Sequence, residues 1–211
     1  MTTTTANPRT ALLNLLARTS FRLGNFTLSS GAKSDYYIDC RTTTLHAEGG
    51  HLTGLAILDL LAEHNLHPAA VGGLTMGADP VVSAVSIASA WRAQQQAEAP
   101  LIHGFLVRKA EKTHGTGRRI EGFLEQNAPV LIVDDVCTTG ASTITAIEAA
   151  REAGMKVIAA VCLVEREEAQ GRAALEAALR AGLPDKQGSP FLSLYTANDV
   201  RAAHIRQLPQ A

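Results

Sequence analysis

Short apolar runs alternate with longer stretches whose apolar residues recur at helical spacing, from about residue 46 to residue 195. The apolar runs predict strands at 69–71, 101–107, 130–133, 156–164 and 190–195, and the helical spacing predicts helices at 46–64, 80–96, 141–153 and 167–181. Strands that alternate with helices of about 10–15 residues are typical of a parallel sheet covered on both faces. The pattern therefore predicts an α/β fold with a doubly wound, mostly parallel sheet.

The first 45 residues lack this alternation. Residues 1–8 are polar and are expected to form a loose arm, and leucines at helical spacing predict a short helix at 10–18. Two short strands, at 26–28 and 36–39, are predicted on either side of a turn. We expect residues 1–45 to form a small N-terminal cap, or hood, over an α/β core at about 46–200. A length of 211 residues suits one such domain, spanning 1–211, better than two.

Composition limits the partners and the compartment. Nineteen basic and 20 acidic residues give a net charge of −1, so no overall field attracts nucleic acid or an anionic membrane. The three cysteines include no C-x-x-C pair, which disfavours a disulfide framework and a zinc site. The N-terminus lacks the regions of a signal peptide, and the longest apolar run, 157–164, is far shorter than a membrane span. We expect a soluble, cytoplasmic protein.

Residues 130–142, VLIVDDVCTTGAS, combine a buried strand, two carboxylates and the start of a helix. The hydroxyls, the glycine and the unpaired backbone N–H groups at the helix start predict a site for an anion. A phosphate site directly after Asp134 and Asp135 suits a ligand with both a phosphate and vicinal hydroxyls, such as a ribose phosphate. The Walker A and G-x-G-x-x-G patterns are absent. A capped helix alone would not explain the two carboxylates, which we expect to be exposed.

Other loops should meet this one, because ligands of such sheets sit at the carboxyl ends of the strands. The rule brings together residues 72–79, 108–121, 134–142 and 165–168. Loop 108–119, RKAEKTHGTGRR, is strongly cationic and contains two glycines, so we expect it to close over the phosphate site rather than to be an ordinary surface loop. The glycine-rich stretch 72–77 predicts a second anion site, and hence a ligand with two separated phosphate groups.

Two further residues have ambiguous patterns. Taken alone, Arg166 would more often be a salt-bridged surface arginine. Cys137 lies near a helix start that can lower a thiol pKa, but a small structural residue is the favoured interpretation.

Four segments resemble the type I phosphoribosyltransferase family and, within it, the orotate phosphoribosyltransferases. They are FTLSSG at 26–31 with Lys33, Ser34 and Tyr36, the loop RKAEKTHG at 108–115, the stretch 130–142, and Glu165 with Arg166. They occur in consistent order over roughly residues 10–200. Ser29 and Met76 stand where many members of the family carry lysine.

The resemblance implies a Mg²⁺-dependent transfer of ribose 5-phosphate from phosphoribosyl pyrophosphate to orotate, which gives orotidine 5′-monophosphate and pyrophosphate in pyrimidine biosynthesis. By the same resemblance Asp134 and Asp135 hold the ribose hydroxyls, the 138–142 stretch takes the 5′-phosphate, and Arg166 binds the orotate carboxylate. The metal is carried by the diphosphate substrate near the two aspartates, without a direct protein ligand being assigned. The protein is implied to be a homodimer with shared active sites, whose basic loop comes partly from the neighbouring subunit.

The implied site residues fall into three sets. The catalytic residues are Lys112, His114, Asp134 and Asp135. Phosphoribosyl pyrophosphate is bound by Lys33, Thr75, Met76, Arg108, Lys109, Lys112, His114, Asp134, Asp135, Val136, Cys137, Thr138, Thr139, Gly140, Ala141 and Ser142. Orotate is bound by Tyr36, Tyr37, Thr138 and Arg166.

Two alternatives remain open at this point. A salvage phosphoribosyltransferase for a purine or uracil would share the 130–142 stretch but would need no cation for a substrate carboxylate. A nonenzymatic regulator of the same fold would sense nucleotides, although the neutral charge and the absence of an added DNA-binding segment disfavour it.

Overall fold

The computed structural model describes residues 7–27, 31, 33–109, 119–181 and 189–209. Its central sheet has six strands: β3 (Ala70–Leu74), β4 (His103–Val107), β5 (Ile120–Gly122), β6 (Pro129–Cys137), β7 (Lys156–Glu165) and β8 (Phe191–Thr196). Their order across the sheet is β5-β4-β3-β6-β7-β8. Every pairing is parallel except that of β4 with β5. The predicted mostly parallel α/β sheet is confirmed.

Helices cover both faces of this sheet. They are α1 (Pro8–Thr19), α2 (Arg41–Thr44), α3 (Ala47–Glu63), α4 (Asp79–Gln95), α5 (Ala141–Glu152), α6 (Gly171–Arg180) and α7 (Ala197–Gln207). Along β6 the apolar run divides evenly: Val130 and Ile132 join the core beside α5 and α6, whereas Leu131 and Val133 join the core beside α1, α3, α4 and α7. Because both faces of β6 are buried, its sequence is continuously apolar rather than alternating.

A two-stranded antiparallel sheet precedes the central one and forms the N-terminal hood. It consists of β1 (Phe21–Thr27) and β2 (Lys33–Ile38). Phe21 and Tyr36 stack with ring centroids 5.3 Å apart, and both are buried in the core that contains α1 and α3. This packing attaches the hood to the core beside the carboxyl ends of the central strands.

Several predicted boundaries were wrong. Residues 72–74, predicted as part of a loop, belong to β3, where a Cβ at Gly72 would lie 2.3 Å from the Phe105 ring. The glycine there allows close packing within the sheet. Strand β1 begins five residues earlier than predicted, and the predicted long loop 108–121 ends in the short edge strand β5.

The predicted helix 167–181 is also interrupted. A 3₁₀ turn, Glu167–Ala169, ends at Gln170, whose φ of 55° is left-handed, and α6 begins at Gly171. The C-terminal helix α7 was not predicted. None of the described helices is long and apolar enough to span a membrane.

Candidate active site

A cleft of about 480 Å³ opens at the carboxyl ends of the central strands. The hood, the ends of β3, β4 and β6 and the start of α5 contribute its walls. The described lining residues are Tyr37, Ile38, Asp39, Arg41, Leu74, Thr75, Met76, Gly77, Lys109, Asp134, Asp135, Val136 and Ser142. Segments that are distant in the sequence therefore meet around one cavity.

Asp134 and Asp135 form the floor of this cleft, but they differ in burial. Asp134 is only 7% exposed, and its carboxylate accepts hydrogen bonds from the Asp135 backbone N–H (3.0 Å) and from the Thr143 hydroxyl (2.9 Å). Asp135 is half-buried and accepts from the Val136 backbone N–H at 2.9 Å. The expectation of two exposed carboxylates was wrong for Asp134, because the Thr143 side chain on α5 covers and binds it.

The turn after β3 lies directly against this pair. A Cβ built on Gly77 would lie 2.4 Å from Oδ1 of Asp135, closer than any side chain tolerates. Glycine at this position therefore lets the turn at 75–77 approach the carboxylate floor.

Burial raises the pKa of both carboxyl groups. For Asp134 the loss of hydration is the largest cause and the nearby charge of Asp135 is the second, and together they place its pKa well above the usual range. For Asp135 burial is again the largest cause, partly offset by the hydrogen bond from Val136 and by the positive charge of Arg41. Ionisation of both carboxyl groups is thus electrostatically unfavourable, and a cationic or hydrogen-bonding ligand would stabilise the doubly ionised pair.

This arrangement predicts how stability depends on pH without ligand. Because the folded-state pKa of Asp134 is raised, the folded state binds more protons than the unfolded state between about pH 4 and pH 7, so stability falls as pH rises through that window. We expect Asp134→Asn to remove this loss, raising the unfolding midpoint by about 3 °C or more at pH 8 and changing it little near pH 4. Thermal unfolding from pH 4 to pH 8 measures the difference.

Asp35→Asn is the matched control, because Asp35 is an exposed carboxylate whose pKa is lowered by its hydrogen bond with Arg201. That variant should show no gain at pH 8. An Asp134→Asn gain of the same size at every pH would contradict the electrostatic explanation.

The start of α5 is the stretch, 138–142, that the sequence predicts as a phosphate cradle. Gly140 precedes the helix with a left-handed φ of 78°, and no side chain caps the helix. The first helical hydrogen bond runs from the Ile144 N–H to the Gly140 carbonyl, so the preceding N–H groups are left for a ligand. Ser142, in the first turn, lines the cleft.

The cradle is supported from behind by α6. A Cβ at Gly171 would lie 2.1 Å from the Thr138 carbonyl oxygen, and a Cβ at Gly140 would lie 2.7 Å from Leu175. Neither Gly171 nor Leu175 was predicted from the sequence, and the only local signal was a glycine shortly after the charged run at 165–168.

Arg166 is buried beneath the hood, contrary to the surface position expected from its pattern alone. Its backbone N–H donates to the Cys137 carbonyl at 2.8 Å, which ties the end of β7 to the end of β6. Its Nε donates to the Tyr36 hydroxyl (2.9 Å) and to Glu168 (3.0 Å), and Nη2 donates to Ser34 (3.3 Å). The guanidinium also lies 4.6 Å from the Tyr36 ring centroid. Among the described residues, none accepts a hydrogen bond from Nη1, so one edge remains for a ligand.

Tyr36 is a neutral member of this cluster. Burial, and then its hydrogen bond to Glu168, raise the pKa of Tyr36 to about 12. The phenol therefore stays protonated at neutral pH and orients the Arg166 guanidinium by accepting its Nε–H while donating to Glu168.

The remaining predicted binding residues are not all at the cleft. Tyr37, Thr75, Met76 and Lys109 line it. Lys33 donates to Thr27 at 2.8 Å within the hood and is not among the described lining residues. The Arg108 side chain pairs with Glu121 at 3.4 Å. Lys112 and His114 lie outside the described residues.

Cys137 is a buried, free thiol at the end of β6. Its pKa is lowered, but the largest cause is a hydrogen bond from the Cys162 side chain on the neighbouring strand rather than the helix start. Asp39 and Arg41, which were not predicted as site residues, line the cleft from the hood side. Their only signal was a D-x-R spacing that begins two residues after Tyr37.

Comparisons with known proteins agree with this geometry. A family model described as the phosphoribosyl transferase domain matches residues 109–176. The orotate phosphoribosyltransferase of Thermosynechococcus vestitus is 43% identical over 198 residues, which cover 93% of this chain and 95% of that protein.

Solved structures of orotate phosphoribosyltransferases are also similar to this chain. The orotate phosphoribosyltransferase of Mycobacterium tuberculosis H37Rv in complex with Fe(III) dicitrate superimposes with a TM-score of 0.73 at 36% identity, covering 92% of this chain and 98% of that one. The same protein in complex with 5-phospho-alpha-D-ribosyl 1-diphosphate has a TM-score of 0.69 at 32% identity, with 92% and 99% covered. With this identity over nearly the whole length, and with this sheet and cleft, the chain belongs to the orotate phosphoribosyltransferase family of pentosyl-transferring enzymes.

Proposed function

We propose that this cleft transfers the ribose 5-phosphate unit of phosphoribosyl pyrophosphate to orotate, giving orotidine 5′-monophosphate and pyrophosphate in pyrimidine biosynthesis. The observation that carries the proposal is the carboxylate pair, Asp134 and Asp135, directly ahead of the uncapped start of α5 in one cavity. The cradle at 138–142 takes the 5′-phosphate, and the carboxylates bind the ribose hydroxyls.

The charges of the floor suit the chemical step. As the C1–O bond to pyrophosphate breaks, positive charge develops on the ribose, while a ring nitrogen of orotate forms a bond to C1 and releases its proton. Asp134 and Asp135, beneath the sugar, stabilise that positive charge more in the transition state than in the ground state. Burial raises the pKa of both carboxyl groups, so their negative charges are poorly stabilised by the protein alone, and a developing cation on the ribose would offset them.

The basic loop is proposed to stabilise the leaving pyrophosphate. Lys109, at the end of β4, already lines the cleft. Arg108, Lys112 and His114 are proposed to complete the set, and their spacing in one glycine-containing loop supports closure over the diphosphate. Lys112 and His114 are assigned from the sequence only.

Mg²⁺ fits this site as a companion of the substrate. In the described part of the chain no group of three or more potential ligands could hold a metal ion, so an all-protein cage is not present there. Mg²⁺ is usually bound by one or two carboxylates together with substrate phosphates, and Asp134 and Asp135 supply such carboxylates. When bound, the ion would neutralise pyrophosphate charge.

The orotate carboxylate is assigned to Arg166, with Tyr36, Tyr37 and Thr138 around the pyrimidine ring. The open Nη1 edge of a buried, oriented guanidinium favours a substrate with a carboxylate over a plain nucleobase. This observation favours orotate over the purine or uracil alternative, and a catalytic carboxylate floor is not needed by a nonenzymatic regulator.

The direct test gives the purified chain Mg²⁺, phosphoribosyl pyrophosphate and orotate and follows the loss of orotate ultraviolet absorbance. Consumption of orotate, with production of pyrophosphate, is expected. Turnover of hypoxanthine or uracil without turnover of orotate would overturn the assignment.

Three buried free thiols support a reducing compartment, and we place the enzyme in the cytoplasm.

A homodimer is proposed from an apolar groove beside the cleft. The groove, about 1110 Å³, lies between α2, α3 and α4 and is lined by Leu45, Ile87 and Trp91, which are 74%, 59% and 57% exposed. Asp39, Arg41 and Met76 line both the groove and the cleft. A second copy of this chain seated on the groove would bury its apolar surface and bring residues to the edge of the neighbouring active site.

We expect Trp91→Glu to convert the dimer to a monomer, because it places a charge in the centre of the buried patch. Sedimentation velocity at micromolar concentration measures the change. Ile205→Glu, at an exposed position of α7 outside the groove, should leave the dimer intact. A wild-type monomer would contradict the proposal.

Whether the basic loop of one subunit completes the active site of the other can be tested by complementation between Lys112→Ala and Asp135→Asn. If the loop acts across the dimer, mixing the two inactive variants and allowing subunits to exchange restores one intact site per heterodimer. If the loop acts within its own subunit, the mixture stays inactive.

A further inference from the structure

The cleft has few cations for the anion it is proposed to bind. Its described lining contains three carboxylates, Asp39, Asp134 and Asp135, and only two cationic side chains, Arg41 and Lys109. A diphosphate group requires several positive charges or hydrogen-bond donors. Arg41 is one of those two cations, and the function described so far gives it no role.

Arg41 is held rigidly. Its Nε and Nη2 each donate to a different oxygen of Asp39 at 2.8 Å, and its backbone N–H donates to the same carboxylate at 3.1 Å. The pair lowers the pKa of Asp39, chiefly through the side-chain hydrogen bond, so both groups stay charged. The guanidinium is therefore oriented before any ligand arrives.

This pairing leaves one edge of the guanidinium unused. Nη1 makes no hydrogen bond within the described ranges, and Nη2 has a second N–H, while the side chain is 45% exposed. One N–H from each nitrogen can together donate to two oxygens of an oxyanion in a bidentate manner.

The position of Arg41 favours contact with the pyrophosphate group of phosphoribosyl pyrophosphate rather than with its 5′-phosphate. Arg41 and Met76 line both the cleft and the groove, so they mark the end of the cleft next to the groove, whereas Ser142 of the cradle at 138–142 lines the cleft only. Its charge also acts on Asp135, which lies against Gly77. Met76 is 69% exposed and has no charge to offer at this wall.

We propose that Arg41 binds the pyrophosphate group of phosphoribosyl pyrophosphate and of the product, using the guanidinium edge that Asp39 leaves free. This inference rests on the proposed function for the identity of the ligand. Lys109 supplies a flexible point charge in the same cleft, whereas Arg41 supplies a pre-oriented bidentate donor.

The test measures binding directly, by calorimetric titration of Mg²⁺–pyrophosphate, and also KM for each substrate. Arg41→Gln should weaken pyrophosphate binding and raise KM for phosphoribosyl pyrophosphate by about 10-fold or more, with KM for orotate changed by less than about 2-fold. Arg41→Lys should recover part of the affinity, because it keeps the charge without the bidentate edge. Arg92→Gln removes an ion pair of the same length, 2.8 Å to Asp59, on α4 and should change neither constant.

A second variant separates direct binding from an indirect effect of the unpaired Asp39. In Asp39→Asn with Arg41→Gln the net charge equals that of the wild type, so affinity would return if Arg41 acted only by neutralising Asp39. Continued weak binding in the double variant supports the direct role; full recovery would overturn it, as would unchanged pyrophosphate binding in Arg41→Gln. Failure of the proposed function is distinguishable, because it appears as a wild-type protein that consumes no orotate, whatever the titrations show.

Discussion

Replacing both Asp134 and Asp135 by asparagine is expected to lower kcat by about 10³-fold or more. Loss of one well-placed electrostatic partner of a transition state typically costs about 10²–10³ in kcat, and this pair is the carboxylate floor that we propose to lie beneath the ribose. The double variant keeps the shape of the site, and its amides retain hydrogen bonds to the ribose hydroxyls. We therefore expect KM for phosphoribosyl pyrophosphate to change much less than kcat, which steady-state kinetics would show.

The same double variant should be more stable to unfolding than the wild type, although its kcat is lower. The two carboxyl groups have raised pKa values because the fold buries them close together, so their removal relieves repulsion in the enzyme without ligand. A double variant that unfolds at a higher temperature at pH 8 yet turns over far more slowly would separate catalysis from folding. Asp35→Asn loses one carboxylate outside the cleft and should retain full activity. A rise in KM with unchanged kcat would mean that the pair binds the sugar without assisting the chemical step.

Most of the central sheet was predictable because every strand except β5 has a recognisable apolar run in its own sequence. The run at 130–133 is apolar at four consecutive positions, and the structure sends alternate side chains to the two separate cores. A strand covered on both faces has this composition, because each of its side chains enters a core. The same reasoning located β7, and the intervening helical spacing located α3, α4 and α5 within one residue at each end.

The missed elements depend on contacts that leave little local signal. Strand β5 has three residues and is held by antiparallel pairing with β4, so no periodicity could develop within it. The break before α6 depends on one left-handed residue, Gln170. Helix α7 did have a signal, a capping box between Thr196 and Asp199, which the apolar pattern alone does not register.

The active site divides in the same way. Its phosphate cradle and carboxylate floor are contiguous in sequence, so the 130–142 stretch predicted a ligand type by itself. The position of Arg166 at the end of a strand could be predicted, but its burial and orientation could not. Ser34 and Tyr36, which orient it, lie about 130 residues earlier in the hood. The role of the Asp39–Arg41 pair could not be predicted for the same reason. Nothing in the sequence of its own segment indicates that it lines the same cleft as the carboxylates of β6.

Arg166→Ala is expected to lower kcat/KM for orotate by about 10²-fold while changing the affinity for phosphoribosyl pyrophosphate by less than about 3-fold. A hydrogen-bonded pair with a charged partner contributes about 1.5–3 kcal/mol, and a buried guanidinium with one free edge can make two such bonds to a carboxylate. Steady-state kinetics with each substrate varied in turn measures the split. Equal weakening of both substrates would remove Arg166 from the orotate site.

Uracil, which lacks the carboxylate, gives this variant an internal reference. The wild-type enzyme should prefer orotate strongly. Arg166→Ala should reduce that preference chiefly by lowering kcat/KM for orotate rather than by raising kcat/KM for uracil. Arg201→Ala breaks the ion pair that links α7 to Asp35 in the hood, so it loosens the same hairpin without removing the proposed carboxylate ligand. If Arg201→Ala lost the orotate preference to the same extent, the position of the hood rather than the Arg166 charge would determine specificity. Retention of the preference in Arg201→Ala and its loss in Arg166→Ala would assign substrate discrimination to one guanidinium, which Tyr36 and Glu168 orient in advance.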